Sequence, residues 1–345
     1  RNSLSRKIVE FIYFFHMPAF IFISGFLTSE NSTKLSNTVK LLILYYIFNF
    51  SFLLVTHYYI NVKINFFLPT ASYWYLLSLF FWRITIKFFC KLKFIFSISI
   101  IISLLVGYWE CFSNILSIVR TFTFFPFFIS GYKIKQSGKF DKFLNWRKGI
   151  IKFIIYIILF ILFIYLFILY INSKSFADGT LLMMAYFSEN TIKERIIMII
   201  ISFMIILFSL LMIPNTKIPI INKWGKNSLY IYLFHRIITI IAYEEFFYQK
   251  KYSKNIIVYS ILLTLIILFI FSSDNLNNFC NSLLNSIYKH LSEYNIKGKI
   301  IGFLFFLSFI LLLFTIPMKK IQKNYLKKIF SSVKKKKQIL KITNN

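Results

Sequence analysis

Apolar runs of about twenty residues recur along this chain and leave little choice of fold. A run of that length crosses the hydrocarbon core of a bilayer, roughly 30 Å thick, as an α-helix whose backbone bonds to itself. The segment 276–292 is amphipathic and too polar to cross. The pattern predicts about ten spans, at residues 8–28, 38–60, 72–90, 94–110, 115–134, 150–171, 195–213, 226–246, 255–272 and 299–317.

The composition agrees with this reading. Of the 345 residues, 58% are hydrophobic and only 15% are charged, and a soluble protein has too little interior to bury so much apolar surface. We therefore predict an all-α fold, a polytopic helix bundle integral to a membrane, with the lipid bilayer as its surroundings.

The formal net charge of +30 would suggest nucleic acid in a soluble protein. Here the basic residues lie between apolar runs and in a C-terminal tail, as expected for loops near anionic lipid, so no nucleic-acid partner is predicted. The links 83–93, 132–149 and 214–226 carry most of them, and alternation places all three on one side, the cytoplasmic side. Three cysteines without metal-ligand spacing predict no metal site.

Residues 224–236, WGKNSLYIYLFHR, hold the strongest candidate for chemistry. Ser228, Tyr232, His235 and Thr239 fall within roughly 60° of one another on a helix, a polar stripe on an otherwise apolar span. Ionisable residues inside a span are costly and mark function, and a histidine there can accept a proton near neutral pH. A purely structural hydrogen bond to a neighbouring helix is the alternative.

Three further stretches carry polar groups beside apolar runs. His16 precedes Pro18, which frees a backbone carbonyl in its helix; Trp74 begins a span that holds Arg83; and Arg120 begins another. Each also has a simpler explanation, because histidines, arginines and tryptophans settle at membrane interfaces. On these observations alone, an enzyme, a proton-coupled transporter and a flippase all remain open.

The same four stretches resemble acyltransferase family 3, the integral membrane O-acyltransferases, in the branch related to fucose O-acetylase and polysaccharide O-acetyltransferases. The matching phrases are Phe-His-Met-Pro with Ile-Ser-Gly, Trp-Tyr-Leu-Leu with Trp-Arg, Phe-Pro-Phe-Phe with Gly-Tyr, and Gly-Lys-Asn-Ser-Leu-Tyr-Ile-Tyr with His. They occur in the family's order, at 15–25, 74–83, 125–132 and 225–235.

The resemblance implies transfer of an acyl group, acetyl above all, from acyl-CoA to a hydroxyl of a cell-envelope polysaccharide, by a multi-pass protein of the bacterial cytoplasmic membrane. Acetyl-CoA would be the donor and the glycan the acceptor. His235 and His16 are the catalytic candidates. The candidates for holding substrate are Arg83, Arg120, Trp74, Asn227, Ser228 and Tyr232.

The resemblance also implies a division of the chain. Residues 1–272 correspond to the acyltransferase-like bundle, 273–298 to an amphipathic link, and 299–345 to an extra apolar helix with a Lys-rich tail. In the family an earlier helix, with a basic residue and a histidine, precedes the phrase at 15–18. The expectation is therefore an N-terminally truncated fragment with a partial site. A multi-pass transporter, flippase or polymerase of lipid-linked glycans is the alternative function.

Overall fold

In the computed structural model the regular secondary structure of the described residues is entirely helical. Described are residues 3–61, 69–70, 72–106, 115–138, 140, scattered positions between 154 and 168, 192–212, 218–248 and 256–293. Ten α-helices are defined there: α1 Ser3–Leu27, α2 Leu35–Ile60, α3 Trp74–Phe89, α4 Ile95–Val106, α5 Ile118–Gln136, α6 Ile192–Met212, α7 Pro219–Lys226, α8 Ser228–Ala242, α9 Ile256–Phe271 and α10 Asp274–Glu293.

These bounds confirm the all-α class and follow the predicted spans closely. One difference is that the span predicted at 226–246 is divided: α7 ends at Lys226, Asn227 separates it from α8, and α8 continues into a π-helix at Tyr243–Tyr248. The amphipathic stretch at 276–292 lies within a helix, α10. The predicted span 299–317 lies outside the described residues, as does most of 150–171.

Length and hydropathy identify fewer spanning helices than the sequence predicts. Within the described ranges, α2 alone is long and apolar enough to cross a membrane by itself, and the bent pair formed by α9 and α10 would make a second. Shorter apolar helices occupy Phe15–Leu27, Ile95–Val106 and Arg195–Leu210. A count of about ten transmembrane helices therefore stays a prediction.

The centre of the bundle is a close crossing of α1 and α5 at two glycines. A Cβ on Gly25 would overlap the backbone carbonyl of Phe128, and a Cβ on Gly131 would overlap the carbonyl of Phe22. Only residues without a side chain allow two helix backbones to approach so closely, an arrangement common among membrane helices. Around this crossing α3, α4 and α6 pack against α1 or α5, while α2 packs against α3 and α8.

The chain forms two compact units, residues 1–286 and 287–345. The first contains α1 to α9 and most of α10. Of the second, the end of α10 is the described part.

Candidate functional site

The first turn of α3 lies deep inside the bundle. The side-chain oxygen Oδ1 of Asn49 accepts hydrogen bonds from the backbone N–H of Thr70, at 2.9 Å, and from its hydroxyl, at 2.6 Å. Asn49 is eleven residues before the end of α2 at Ile60, which corresponds to about 16 Å along a helix. The chain therefore returns into the bundle before α3 begins, whereas the sequence predicted an outer link over 61–71.

Tyr232 of α8 contacts several residues around the buried first turn of α3. Its hydroxyl donates to the backbone carbonyl of Ser72, just before α3. Its ring lies 5.5 Å from the ring of Tyr75 and 6.0 Å from the ring of Phe20 on α1, measured between centroids. The neighbouring Tyr73 donates its hydroxyl to the carbonyl of Leu233, at 2.8 Å. Thus α8 is fixed against α3 by two reciprocal hydrogen bonds.

The hydrogen-bonded groups around Ser72 and Tyr232 form a polar layer across the bundle, and Tyr75 extends this layer to α1. The hydroxyl of Ser24 donates to the carbonyl of Phe20 at 2.7 Å, so its own oxygen remains as an acceptor. The hydroxyl of Tyr75 lies 2.6 Å from that oxygen, and since Ser24 has a single proton to give, Tyr75 is the donor. Tyr75 is almost completely buried. Sequence reasoning passed over both residues, because a lone serine and an aromatic at a span end are common in membrane helices.

His235 follows Tyr232 by one turn. Its Nδ1 lies 2.6 Å from the carbonyl oxygen of Tyr232. A carbonyl can only accept, so Nδ1 carries the proton, and in the neutral ring Nε2 is the basic nitrogen. His16 makes the same kind of contact, with Nδ1 at 3.0 Å from the carbonyl oxygen of Ile12. Both rings are half-buried.

The helix directions bring the two histidines to one end of the bundle. α2 and α8 run parallel, because Phe48 contacts Phe234 and, further along both helices, Tyr59 donates to Glu245 at 2.7 Å. α1 and α2 run in opposite directions, since only residues 28–34 join them. From the Phe20–Tyr232 contact, His16 is therefore one turn away on α1 and His235 one turn away on α8, both toward the end where α2 finishes.

Trp74 and Arg120 form a second part of the same layer. Trp74, the first residue of α3, is 1% exposed, and the guanidinium carbon of Arg120 lies 5.5 Å from the centroid of its ring. A guanidinium over an indole face is a favourable cation–π contact. The ring of Phe124 stacks on Trp74 at 5.4 Å, so the indole is held in place by α5.

Arg83 does not belong to this layer. It follows Trp74 by nine residues on α3, which corresponds to about 13 Å along the helix. It is half-buried, and its Nε has no hydrogen-bond partner within the described parts of the chain. Of these predicted residues, Trp74, Arg120 and Tyr232 thus lie around the start of α3, each histidine lies one turn from the Phe20–Tyr232 contact, and Arg83 lies toward the other end of α3.

Asn227 and Ser228 lie at the junction of α7 and α8. The amide Nδ2 of Asn227 donates to the backbone carbonyl of Ser272, at 2.7 Å, and to Oδ1 of Asp274, at 3.0 Å. Asn227 is buried, and the two protons of its amide are engaged within the protein. Its place in the structure is therefore that of a link between two helix junctions. Ser228 is the first residue of α8 and is half-buried.

A cavity of about 380 Å³ lies elsewhere, between α4 and α6. Its lining is apolar and includes Phe96 and Phe203 but none of the predicted site residues. Among the described residues, no group of three or more His, Cys, Asp or Glu is placed to hold a metal ion.

The described residues form an all-helical, partly apolar bundle. The family model for the acyltransferase domain, Acyl_transf_3, matches residues 2–273. Because that match covers most of the chain, the protein belongs to this acyltransferase family, and the resemblance given by the four sequence phrases is confirmed. Neither a curated protein nor a solved structure matches the chain.

Proposed function

We propose that the protein is a membrane O-acyltransferase of the bacterial cytoplasmic membrane that moves an acetyl group from acetyl-CoA to a sugar hydroxyl of a cell-envelope polysaccharide. Family membership supports acyl transfer. The observation that carries the finer proposal is the oriented His235, with Nδ1 bound to the carbonyl of Tyr232 and Nε2 left basic. A sugar hydroxyl needs such a base, because it is a poor nucleophile until its proton is removed.

In the proposed reaction, Nε2 of His235 takes the proton of the acceptor hydroxyl as the hydroxyl oxygen attacks the thioester carbonyl. A carbon–oxygen bond forms, the carbon–sulfur bond breaks, and CoA leaves as a thiolate that takes up the proton. His16 lies toward the same end of the bundle and is the second candidate base. The Tyr232 hydroxyl is held by Ser72, so it serves to fix α8 against α3 and aligns His235.

Arginines toward the two ends of α3 suit the two substrates. Arg83 lies toward the end of α3 that the positive-inside pattern assigns to the cytoplasm, where CoA is found, and its guanidinium suits the CoA phosphates. Arg120, held over Trp74, lies around the start of α3 and suits the polar acceptor. Ser228 is the remaining polar candidate, whereas the amide of Asn227 is already bonded within the protein.

The test is acetyl transfer from labelled acetyl-CoA to envelope polysaccharide by the full-length protein in proteoliposomes. Replacement of a general base costs about 10²–10⁴-fold in rate, so we expect His235→Gln to lose activity by that factor. His290→Gln is the matched control, because His290 is an exposed histidine on α10.

Mass spectrometry of the polysaccharide from a deletion strain tests the reaction in the cell. Loss of O-acetyl groups on deletion, restored by wild type and not by His235→Gln, supports the proposal. Intact acetylation together with altered glycan export or chain length would instead show a transporter, flippase or polymerase of lipid-linked glycans.

A further inference from the structure

α10 has two faces of opposite character. Asp274, Asn281 and Asn285 are separated by seven and four residues, which places them within roughly 40° on a helix. On the opposite side, Phe279, Leu283 and Ile287 follow one another at four-residue intervals. These three apolar side chains are 63%, 48% and 39% exposed, respectively. The helix is thus amphipathic, with exposed apolar side chains along one face.

Hydrogen bonds from the polar face tie α10 to the bundle. Asn281 Oδ1 accepts from the hydroxyl of Tyr230 on α8 at 2.8 Å, and Asn285 Oδ1 accepts from Nζ of Lys40 on α2 at 2.6 Å. Asp274 accepts from Asn227 at the α7–α8 junction. Asn277 and Leu284, at 6% and 8% exposure, are the buried side chains of the described part of α10, and they lie between its polar and apolar faces. The bundle therefore leaves the apolar face outside, and that face needs an apolar environment there.

The direction of α10 suits a helix lying along a membrane surface. α9 is apolar on all sides, as expected for a helix surrounded by lipid. Val258–Phe271 of α9 and Asp274–Ser292 of α10 meet at 63°. If α9 crosses the bilayer near its normal, α10 leaves it closer to the membrane plane than to the normal.

Basic residues surround the polar face. Lys40 binds Asn285, Lys226 Nζ lies 3.9 Å from Oδ1 of Asp274, and Lys223 is one turn before Lys226 on α7. Lys289 lies on the polar side of α10 itself. Lysines near a membrane surface attract anionic lipid headgroups.

We propose that α10 is an interfacial anchor that lies in the cytoplasmic leaflet, with Phe279, Leu283 and Ile287 in the boundary between headgroups and acyl chains of anionic phospholipid. The combination of a strong apolar stripe, a polar opposite face and low overall hydrophobicity is typical of such helices. Because α10 is hydrogen-bonded to Asn227 and Tyr230, the anchor fixes the height of α8, the helix of His235, relative to the bilayer. The proposal rests on membrane association and is independent of the reaction proposed above.

The experiment places spin labels on the full-length protein in vesicles of phosphatidylcholine and phosphatidylglycerol. Cys90, Cys111 and Cys280 are first replaced by serine. Single cysteines are then introduced as Phe279→Cys and Leu283→Cys, with Asn278→Cys as the control, since Asn278 is exposed on the polar side of the same turn. Accessibility to oxygen, which concentrates in lipid, is compared with accessibility to a water-soluble nickel complex.

We expect a severalfold higher ratio of oxygen to nickel accessibility at 279 and 283 than at 278. A ratio at 279 as low as at 278 would overturn the proposal in favour of a solvated helix. High ratios at all three positions would also overturn it, showing a helix inserted across the core. Exclusion of both reagents at 279 would show that protein covers the stripe, either residues 299–317 or a second copy of the chain.

Discussion

Alanine at Gly131 and alanine at Gly225 are the same chemical change, yet the structure predicts opposite effects on stability. At Gly131 the new Cβ meets the backbone carbonyl of Phe22, and a backbone group cannot rotate away as a side chain does. Inserting volume into a packed site costs about 1–3 kcal/mol, and we expect the upper part of that range. At Gly225, in α7, a Cβ meets nothing within 4 Å, and alanine is favoured over glycine in a helix by roughly 1 kcal/mol.

The assay is thermal unfolding of the detergent-purified protein, followed by the loss of its monodisperse peak in size-exclusion chromatography. A change of 1 kcal/mol shifts Tm by about 2–4 °C in a chain of 150–250 residues, so the two variants should differ by several degrees in opposite directions. Gly25→Ala, on the partner helix, should behave like Gly131→Ala. If Gly131→Ala melts at or above the wild-type temperature, the close crossing of α1 and α5 is wrong.

Three further predictions concern the hydrogen bonds around the site. Tyr75→Phe and Ser24→Ala should each destabilise the protein, and a double-mutant cycle on Tm should give a coupling of about 1 kcal/mol, whereas additive effects would refute the Tyr75–Ser24 bond. Asn49→Leu removes the acceptor that binds Thr70 before α3, so we expect the free energy of unfolding to fall by about 1–3 kcal/mol and acyl transfer to decrease. An unchanged Tm and an unchanged transfer rate would show that Thr70 does not bind Asn49. The hydrogen bond from Asn227 lowers the pKa of Asp274 below its usual 3.8. The ionised carboxylate therefore stabilises the folded protein above pH 3.8, and this stabilisation is lost as pH falls through the lowered pKa. Asp274→Asn should reduce the fall in Tm at acid pH, and a pH profile of Tm identical to that of the wild type would refute this role of Asp274.

The polar stripe on α8 shows what a local pattern can predict. Tyr232 and His235 were selected by their spacing on one helix face; the structure places Tyr232 beside the start of α3 and His235 one turn further along α8. Spacing predicts this much because a helix fixes the relative directions of its own side chains whatever surrounds it. Asn227 was selected from the same stretch, but its partners are 45 and 47 residues away, and no local pattern contains them.

The separation of Arg83 from Trp74 along α3 was not predicted, for a different reason. Arg83 and Trp74 are close in sequence and belong to one family phrase, so they were grouped, although nine residues of helix separate them. The return of the chain to Asn49 before α3 was also missed. A short link between two apolar runs is read as a surface turn, and only the long-range bonds of Thr70 reveal that it enters the bundle.

The sequence by itself determined the all-α class, the bounds of most helices, the amphipathic nature of α10 and the family, because helix periodicity, apolar run length and short motifs are properties of neighbouring residues. The tertiary structure alone decided which helix faces meet. It brought Ser24, Ser72 and Tyr232 to one layer, made Gly25 and Gly131 a crossing point, and left the apolar face of α10 outside the bundle. Those choices depend on contacts between residues far apart in the chain, and such contacts leave no periodic signal in a single sequence.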